Sequence, residues 1–470
     1  MRWWALAAVT LGTFMTYLDN NVGNVALPTI QRDLGLTISG LEWIVSSYIL
    51  VFAGLMLVGG RLADVYGARR VFLGGLAVFT LASLAAGLAT SGGMLIAARA
   101  VQGVGAALLT PTALALISQI FPDPAERGRA VGVWSMAGAL SMALGPVVGG
   151  FISENLHWGW IYLVNVPIGV VTAGLALWAV RPAFERVRHH LDVPGLVTSA
   201  VALFALTYAL IEGESAGWTS PEILAAAGVF VLAAVAFVLA ESRAAEPMVA
   251  VSLFRSRVFS GGLLTSGIWS FGVFGIYFFS ALWLQNVLGF TPTQAGASFV
   301  PMALTMAVVA LLSQRISAAL GIGRTVALGM ALMGAAIFLI SRVGADGGFA
   351  DVAPWFLLYG LGGGLLVPLT SAVLGGMPKT RAGVASGVLN VSREVFGLLG
   401  ITVLGAFLSS RQSGSDLPPL PSFLDAYQFT LVIAAAVVVA AIPIALYSLR
   451  DPAEPDEPQA AAPVTVGSSN

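Results

Sequence analysis

The sequence predicts an all-α polytopic membrane protein of fourteen transmembrane helices, built as two related six-helix bundles with two helices inserted between them. Three observations carry that prediction. The 470-residue chain is 57% hydrophobic and only 10% charged, with a mean hydropathy of +0.90, whereas soluble domains are about 25% charged. Apolar runs of roughly 20 residues, the length that crosses a hydrocarbon core of about 30 Å, recur from end to end with no soluble domain between them. Finally, the stretch Gly60-Arg61-Leu62-Ala63-Asp64-Val65-Tyr66-Gly67-Ala68-Arg69-Arg70 returns as Gln314-Arg315-Ile316-Ser317-Ala318-Ala319-Leu320-Gly321-Ile322-Gly323-Arg324, in both copies between two hydrophobic segments.

In chain order, the first segment, 3–28, carries Asp19 and three Asn residues. It is too long and too polar for the core of a signal peptide and reads as a membrane helix. Segments 42–60 and 71–90 flank the first copy of the repeated stretch, which is expected to be a loop. Segment 93–119 holds Arg99 at membrane depth, and segment 130–153 ends in Gly145-Pro146 and Gly149-Gly150. Segment 159–180 completes the first bundle. Segments 192–212 and 222–241 have no counterpart in the repeat and read as an insertion. Segment 258–286 is crowded with aromatic residues, and 295–313, 325–343, 353–376, 383–408 and 427–448 complete the second bundle. The expected domains are 1–185, the inserted 186–256, 257–450, and a disordered tail 451–470 rich in Pro, Ala and acid.

Helices are required because a bilayer offers no water to free backbone groups, and these Gly, Ala, Leu and Val runs lack the polar-in alternation of a membrane barrel. Orientation comes from the basic residues. With the N-terminus inside, Arg32, Arg342 and Arg411 alone among the 22 Lys and Arg fall in outer loops, and Arg99 and Arg393 within segments. Both termini are therefore expected in the cytoplasm, and both copies of the repeated stretch on the cytoplasmic side. Arg is used almost to the exclusion of Lys beside abundant Ala and Gly, a composition typical of a GC-rich bacterial genome.

Several chemistries are excluded or disfavoured. With no cysteine there are no disulfides, thiolate metal sites or Cys nucleophiles. His157, His189 and His190 lie in expected loops, so no metal site is anticipated. The Gly runs lack a following Gly-Lys-Ser/Thr, which argues against a phosphate-binding loop and ATP drive. No nucleophile–base set suggests an enzyme, and nothing suggests a nucleic-acid partner.

The repeat extends past the opening stretch. Gln102-Gly103-Val104-Gly105 through Pro111 parallels Tyr359-Gly360-Leu361-Gly362 through Pro368, and Arg127 through Gly132 parallels Arg381 through Gly387. Parallel repeats about an axis along the membrane normal are a recurrent transporter design, with substrate bound between the halves near mid-membrane and access alternating by rocking.

Leu95-x3-Arg99-x2-Gln102-Gly103-x3-Ala107, Gly132-x8-Ser141-x3-Gly145-Pro146-x2-Gly149-Gly150, and Leu18-Asp19-Asn20-Asn21-Val22-Gly23-Asn24-Val25-Ala26-Leu27-Pro28 join the Gly60 to Arg70 stretch in this order and spacing. Together with Trp43, Tyr48 and Trp160 through Pro167 they resemble the major facilitator superfamily, specifically its fourteen-helix drug:proton antiporter branch. The departures are Ala68 where a basic residue is common, Ser141 for a Gly, and Asn21 and Gly23 in the first motif. The resemblance implies a proton-coupled exporter of amphipathic drugs or antibiotics in the cytoplasmic membrane, monomeric, driven by the proton gradient and needing no cofactor. A proton-coupled importer or a facilitator remains the alternative; a receptor or lipid-modifying enzyme is the reading from another class.

Asp19 and Arg99 are expected at matching depth, and charges in lipid are tolerated when paired or facing water. One reading has both lining the central cavity, with Asp19 exchanging a proton under the influence of Arg99; the other is a fixed structural ion pair. Glu394, beside Arg393, is either a second proton site or a near-surface pair. Asn20, Asn24, Gln102, Trp269, Tyr277 and Asn390 are the substrate-cavity candidates. The resemblance further implies a conformational latch at Gly60, Asp64, Gly67, Arg69 and Arg70, and a tightly packed, bendable helix at Gly145, Pro146, Gly149 and Gly150. Glu212 and Glu214, at the outer end of the seventh segment, are expected to be solvated.

Overall fold

A computed structural model describes residues 1–181, 192–244, 249, 251–375 and 382–450. The two neighbouring histidines, His189 and His190, and the expected disordered tail lie outside the described residues. Seventeen α-helices and a short 3-10 turn, Val251–Arg255, make up the described chain, with no strand among the described residues. The first bundle comprises α1 (Arg2–Leu34), α2 (Ile38–Tyr66), α3 (Ala68–Gly87), α4 (Gly92–Ile120), α5 (Pro124–Asn155), α6 (Trp160–Leu163) and α7 (Asn165–Ala179). The inserted hairpin is α8 (Val193–Ala216) and α9 (Pro221–Arg243). The second bundle comprises α10 (Arg257–Asn286), α11 (Pro292–Ser298), α12 (Val300–Leu320), α13 (Ile322–Ile340), α14 (Phe349–Gly364), α15 (Val367–Gly375), α16 (Ala382–Ser413) and α17 (Pro419–Ser448).

All fourteen expected segments are present. Thirteen are long and apolar enough to cross a membrane on hydropathy alone; α1, diluted by Asp19, Asn20, Asn21 and Asn24, joins them through its packing against α5, α7 and α4. Three crossings are each split in two. The sixth breaks after Leu163, the tenth after Ser298 and the twelfth after Gly364. In each case a proline, Pro167, Pro301 or Pro368, follows the break. A proline lacks the N–H that bonds four residues back, and its ring crowds that carbonyl. Pro111, the first-bundle counterpart of Pro368, sits inside an unbroken α4, so the two bundles differ there.

The helices outrun the apolar segments, and the expected loop at Gly60 to Arg70 is almost wholly helical. The chain turns at a single residue, Gly67, with φ of 89°; its repeat partner Gly321 turns at 84° between α12 and α13. A side chain at such a φ meets the neighbouring backbone, which is why both copies keep glycine there. The charges around them diverged while the turn stayed.

Large apolar side chains point outward from the helices, Leu311 at 83% and Leu232 at 73% exposed, as a lipid-facing surface requires. By contrast α10 is deeply enclosed. Its aromatics Phe278, Phe279 and Trp283 are buried, with Trp283 stacked on Tyr427 at 5.1 Å. The inserted hairpin stands outside both bundles, but α8 packs against α2 of the first and α16 of the second. Glycines bring the bundles together at one end, where α1, α5 and α10 finish: Gly150 lies on the backbone of Pro292, and Gly296 on that of Pro146.

Candidate functional site in the bundle seam

Asp19 and Arg99 meet, as their depths predict, but they lie inside the first bundle and not on an open cavity wall. Asp19 is 2% and Arg99 3% exposed. Along α1, Tyr17, Asn20, Asn21 and Asn24 share one face by helical spacing while Asp19 points to another. On that inner side Arg99 NH1 donates to Asp19 Oδ2 at 2.5 Å, and Gln102 Nε2 and Asn165 Nδ2 each donate to Oδ1 at 2.8 Å. Arg99 NH1 also donates to Gln102 Oε1 at 2.7 Å, and Gln102 Nε2 to Ser83 Oγ at 2.8 Å. The guanidinium lies 4.3 Å from the Tyr48 ring centre and 5.5 Å from that of Tyr162, and its Nε reaches the Ile44 carbonyl at 3.4 Å. One carboxylate therefore gathers donors from α4 and α7, with α3 one step further out. Full satisfaction of this kind is what makes a buried charge tolerable.

Gln102 thus belongs to this network and not to a substrate wall. The sequence reading missed Asn165 and Ser83 as members, and saw Tyr48 without its role under the guanidinium. Asn165 opens α7 just after the break set by Pro167, so its side chain swings inward; a buried Asn two residues before a helix-breaking Pro was the available signal.

The second bundle holds another pair of charged residues within a membrane segment, Arg393 and Glu394 on α16. Arg393 is not paired with Glu394. Its Nε donates to Ser266 Oγ at 2.7 Å and NH2 to Thr370 Oγ1 at 2.6 Å, and its guanidinium lies 5.4 Å from the Trp269 ring. Ser270 Oγ donates to the Arg393 carbonyl at 2.7 Å. Glu394 keeps a buried Oε2 without a hydrogen-bond partner, as does Trp269 at Nε1. From the first bundle, Tyr17 lies within electrostatic reach of both Glu394 and Arg393, and it is 36% exposed although it sits mid-helix. Asn20, Asn24, Asn390, Trp269 and Glu394 are all partly buried, and Asn24 Oδ1 has no partner. These residues form the polar lining of the seam. Tyr277 behaves differently: it is 3% exposed and stacked on Phe299 at 4.9 Å, inside the aromatic core of the second bundle.

At the closed end the expected antiporter cluster makes the helix contacts. Gly145 faces Asn21 and Gly149 the backbone of Val22, both on α1, while Gly150 faces Pro292 on α11. Pro146 lies within a continuous α5. Gln285 Nε2 donates to the Val25 carbonyl across the seam at 2.8 Å, and the Thr293 N–H to Glu154 Oε2 at 3.0 Å. Arg69 NH2 donates to the Leu177 carbonyl at 2.8 Å, near the end of α7, where a cation complements the helix terminus. That contact stays within the first bundle. Gly60 faces Pro111, Arg70 is exposed, and the Asp64 side chain lies outside the described residues.

Glu212 is not simply solvated: Trp43 Nε1 donates to its Oε1 at 2.8 Å. Glu214 accepts from Trp218 Nε1 at 3.2 Å and from Ser413 Oγ on α16. Among the described residues no cluster of His, Asp and Glu suits a metal ion.

Residues 9–401 match the Major Facilitator Superfamily. The chain is 39% identical over 407 residues to the methylenomycin A resistance protein of Streptomyces coelicolor, covering 86% of this chain and 85% of that one. It is 38% identical to the cephamycin export protein of Amycolatopsis lactamdurans, over 93% and 91% of the two chains, and 36% identical to a puromycin resistance protein of Streptomyces alboniger, over 93% and 89%. Among solved structures it resembles a bacterial homologue of the human lysosomal transporter Spinster, with a TM-score of 0.67 at 18% identity over 96% and 99% of the chains.

Proposed function

Because the chain belongs to the major facilitator superfamily, we propose that it is an antibiotic exporter of the cell membrane that exchanges an amphipathic cargo for protons by alternating access. The observation that carries this reading is its similarity, over nearly full length, to proteins named for antibiotic resistance and export. The charge bias of the loops supports cytoplasmic termini, which makes the glycine-packed end at Gly150 and Gly296 the outer one.

Within that frame the two charged centres divide the work. Three donors converge on Asp19, so it acts as a keystone that fixes α1 against α4 and α7 and lets the first bundle move as one body. Glu394 faces the seam with an unpartnered oxygen and is the group suited to exchange a proton during turnover. Trp269 and Tyr17 supply aromatic surface, and Asn20, Asn24 and Asn390 a few polar contacts, a composition that suits bulky amphipathic molecules. The Gly145 to Gly150 cluster lets α5 approach both α1 and α11 and seal the outer end. Rocking about this seam requires the Gly150 and Gly296 contacts to part and re-form.

Proteoliposomes with an imposed pH gradient test the reading. Movement of an antibiotic against the proton flow is expected; movement with the protons, or indifference to the gradient, overturns it. Growth-inhibition profiles of a pump-deficient strain with and without the protein identify the cargo.

A further inference from the structure

Among the buried acids, Glu42 is one that the transport reading does not use. Glu42 sits about one turn inside α2, is 2% exposed, and reaches across the seam to the second bundle. There it lies against the bare backbone of Gly405 on α16, so closely that a methyl group at that glycine would overlap its carboxyl group. No hydrogen-bond donor serves it among the described residues. Its neighbours offer no compensation. On α8, the side chain that bears on it is Glu212, a second acid and not a cation. On α4, Arg99 touches α2 at the Ile44 carbonyl and is committed to Asp19. On α16, the next charged side chain towards the helix end, Arg411, pairs with Asp425 at 2.8 Å.

A carboxylate anion enclosed between two helices without a donor or cation is strongly disfavoured, and a like charge nearby adds to the penalty. The neutral acid fits the same space, and water relieves the anion once the seam parts. We propose that Glu42 is a second proton-binding site, which takes up a proton as this end of the seam closes and releases it when the end opens. The inserted helix α8 helps form the site, since it packs on α2 and α16 together and places Glu212 beside it. Closure at this end then consumes a proton from the side it seals. In the exporter read above that is the outside, and reopening returns the proton there, so Glu42 gates this end and carries no proton across.

The inference borrows only this direction from the exporter reading. Its test needs neither substrate nor gradient, so failure here leaves that reading intact. The cysteine-free chain accepts a clean label pair at Gly93 on α4, where an added Cβ meets nothing within 4 Å, and Gly414 after α16, where it makes an ordinary contact with the Ser410 carbonyl at 3.5 Å. Spin-label distances across the closed end are recorded against pH in lipid nanodiscs. The parent pair is expected to lengthen as pH rises. Glu42→Gln should abolish that transition and stay short throughout, Glu42→Asp should retain it, and Glu212→Gln, by removing a like charge, should move its midpoint to lower pH. Glu42→Asp and Glu212→Gln keep the test decisive should Glu42→Gln fail to fold. A parent distance that ignores pH overturns the proposal, as does a Glu42→Gln or Glu212→Gln trace that follows the parent, or a Glu42→Asp trace that has lost the transition.

Discussion

Replacing Asp19 with Asn tests whether the keystone holds the first bundle or serves transport alone. The substitution keeps the shape and removes the charge. It leaves Arg99, 3% exposed, without its counter-ion and turns an amide towards the donors of Gln102 and Asn165, which stand 2.8 Å from Asp19 Oδ1. Removing one partner of a buried pair costs about 3–5 kcal/mol, because the surviving charge is uncompensated. For a unit of roughly 150–250 residues, about the size of this bundle, each kcal/mol moves the melting temperature by about 2–4 °C. A fall of roughly 6–20 °C is expected for the purified protein in detergent, read by intrinsic tryptophan fluorescence. The double variant Asp19→Leu with Arg99→Met removes both charges and should recover most of that loss, since apolar replacement of a buried pair is often neutral or better. A drop under about 3 °C for Asp19→Asn refutes the reasoning. Transport by the double variant then separates the two readings of this pair: activity marks it as structural, and inactivity in a stable protein marks it as coupled to the cycle.

Three further outcomes follow. Glu394→Gln should abolish gradient-driven export while leaving substrate counterflow without a gradient, and loss of both would assign Glu394 to substrate binding instead. Gly67→Ala and Gly321→Ala should each destabilise the protein by about 1–2 kcal/mol, the cost of a side chain at positive φ, whereas Gly23→Ala, with open space around it, should be close to silent; equal effects at all three in a thermal-shift assay would contradict the turn argument. Gly150→Val should stop turnover, because a side chain there overlaps the Pro292 backbone where the two bundles meet, and unchanged export would remove that contact from the cycle.

Much of this architecture was legible in the sequence because a bilayer imposes a length on each helix and a duplication announces itself by spacing. The Asp19 and Arg99 contact was legible for the same reason, since helical rise places residues by depth. What depth does not encode is which way a side chain faces. Asp19 turns from the seam while Tyr17 and Asn20 turn to it, so Asp19 lies enclosed among its donors and the carboxyl left with an unpartnered oxygen is Glu394. Arg393, adjacent in sequence to Glu394, bonds instead to Ser266 and Thr370, a choice made by helices far away in the chain. Glu212 read as solvated because it ends a helix, yet it receives the Trp43 indole, since α8 leans on α2. Such contacts depend on where an inserted hairpin docks, and no periodicity within the hairpin specifies that.

The turns at Gly67 and Gly321 carry a lesson about descent. After duplication, the charges around them drifted apart, Asp64 against Ala318 and Arg69 against Gly323, because a solvated or re-paired side chain is replaceable in small steps. A left-handed dihedral offers no such intermediate, since every residue with a Cβ meets the same obstruction at once. The ancestral record in this protein is therefore kept in its backbone angles, and the chemistry written around them is the part that selection was free to revise.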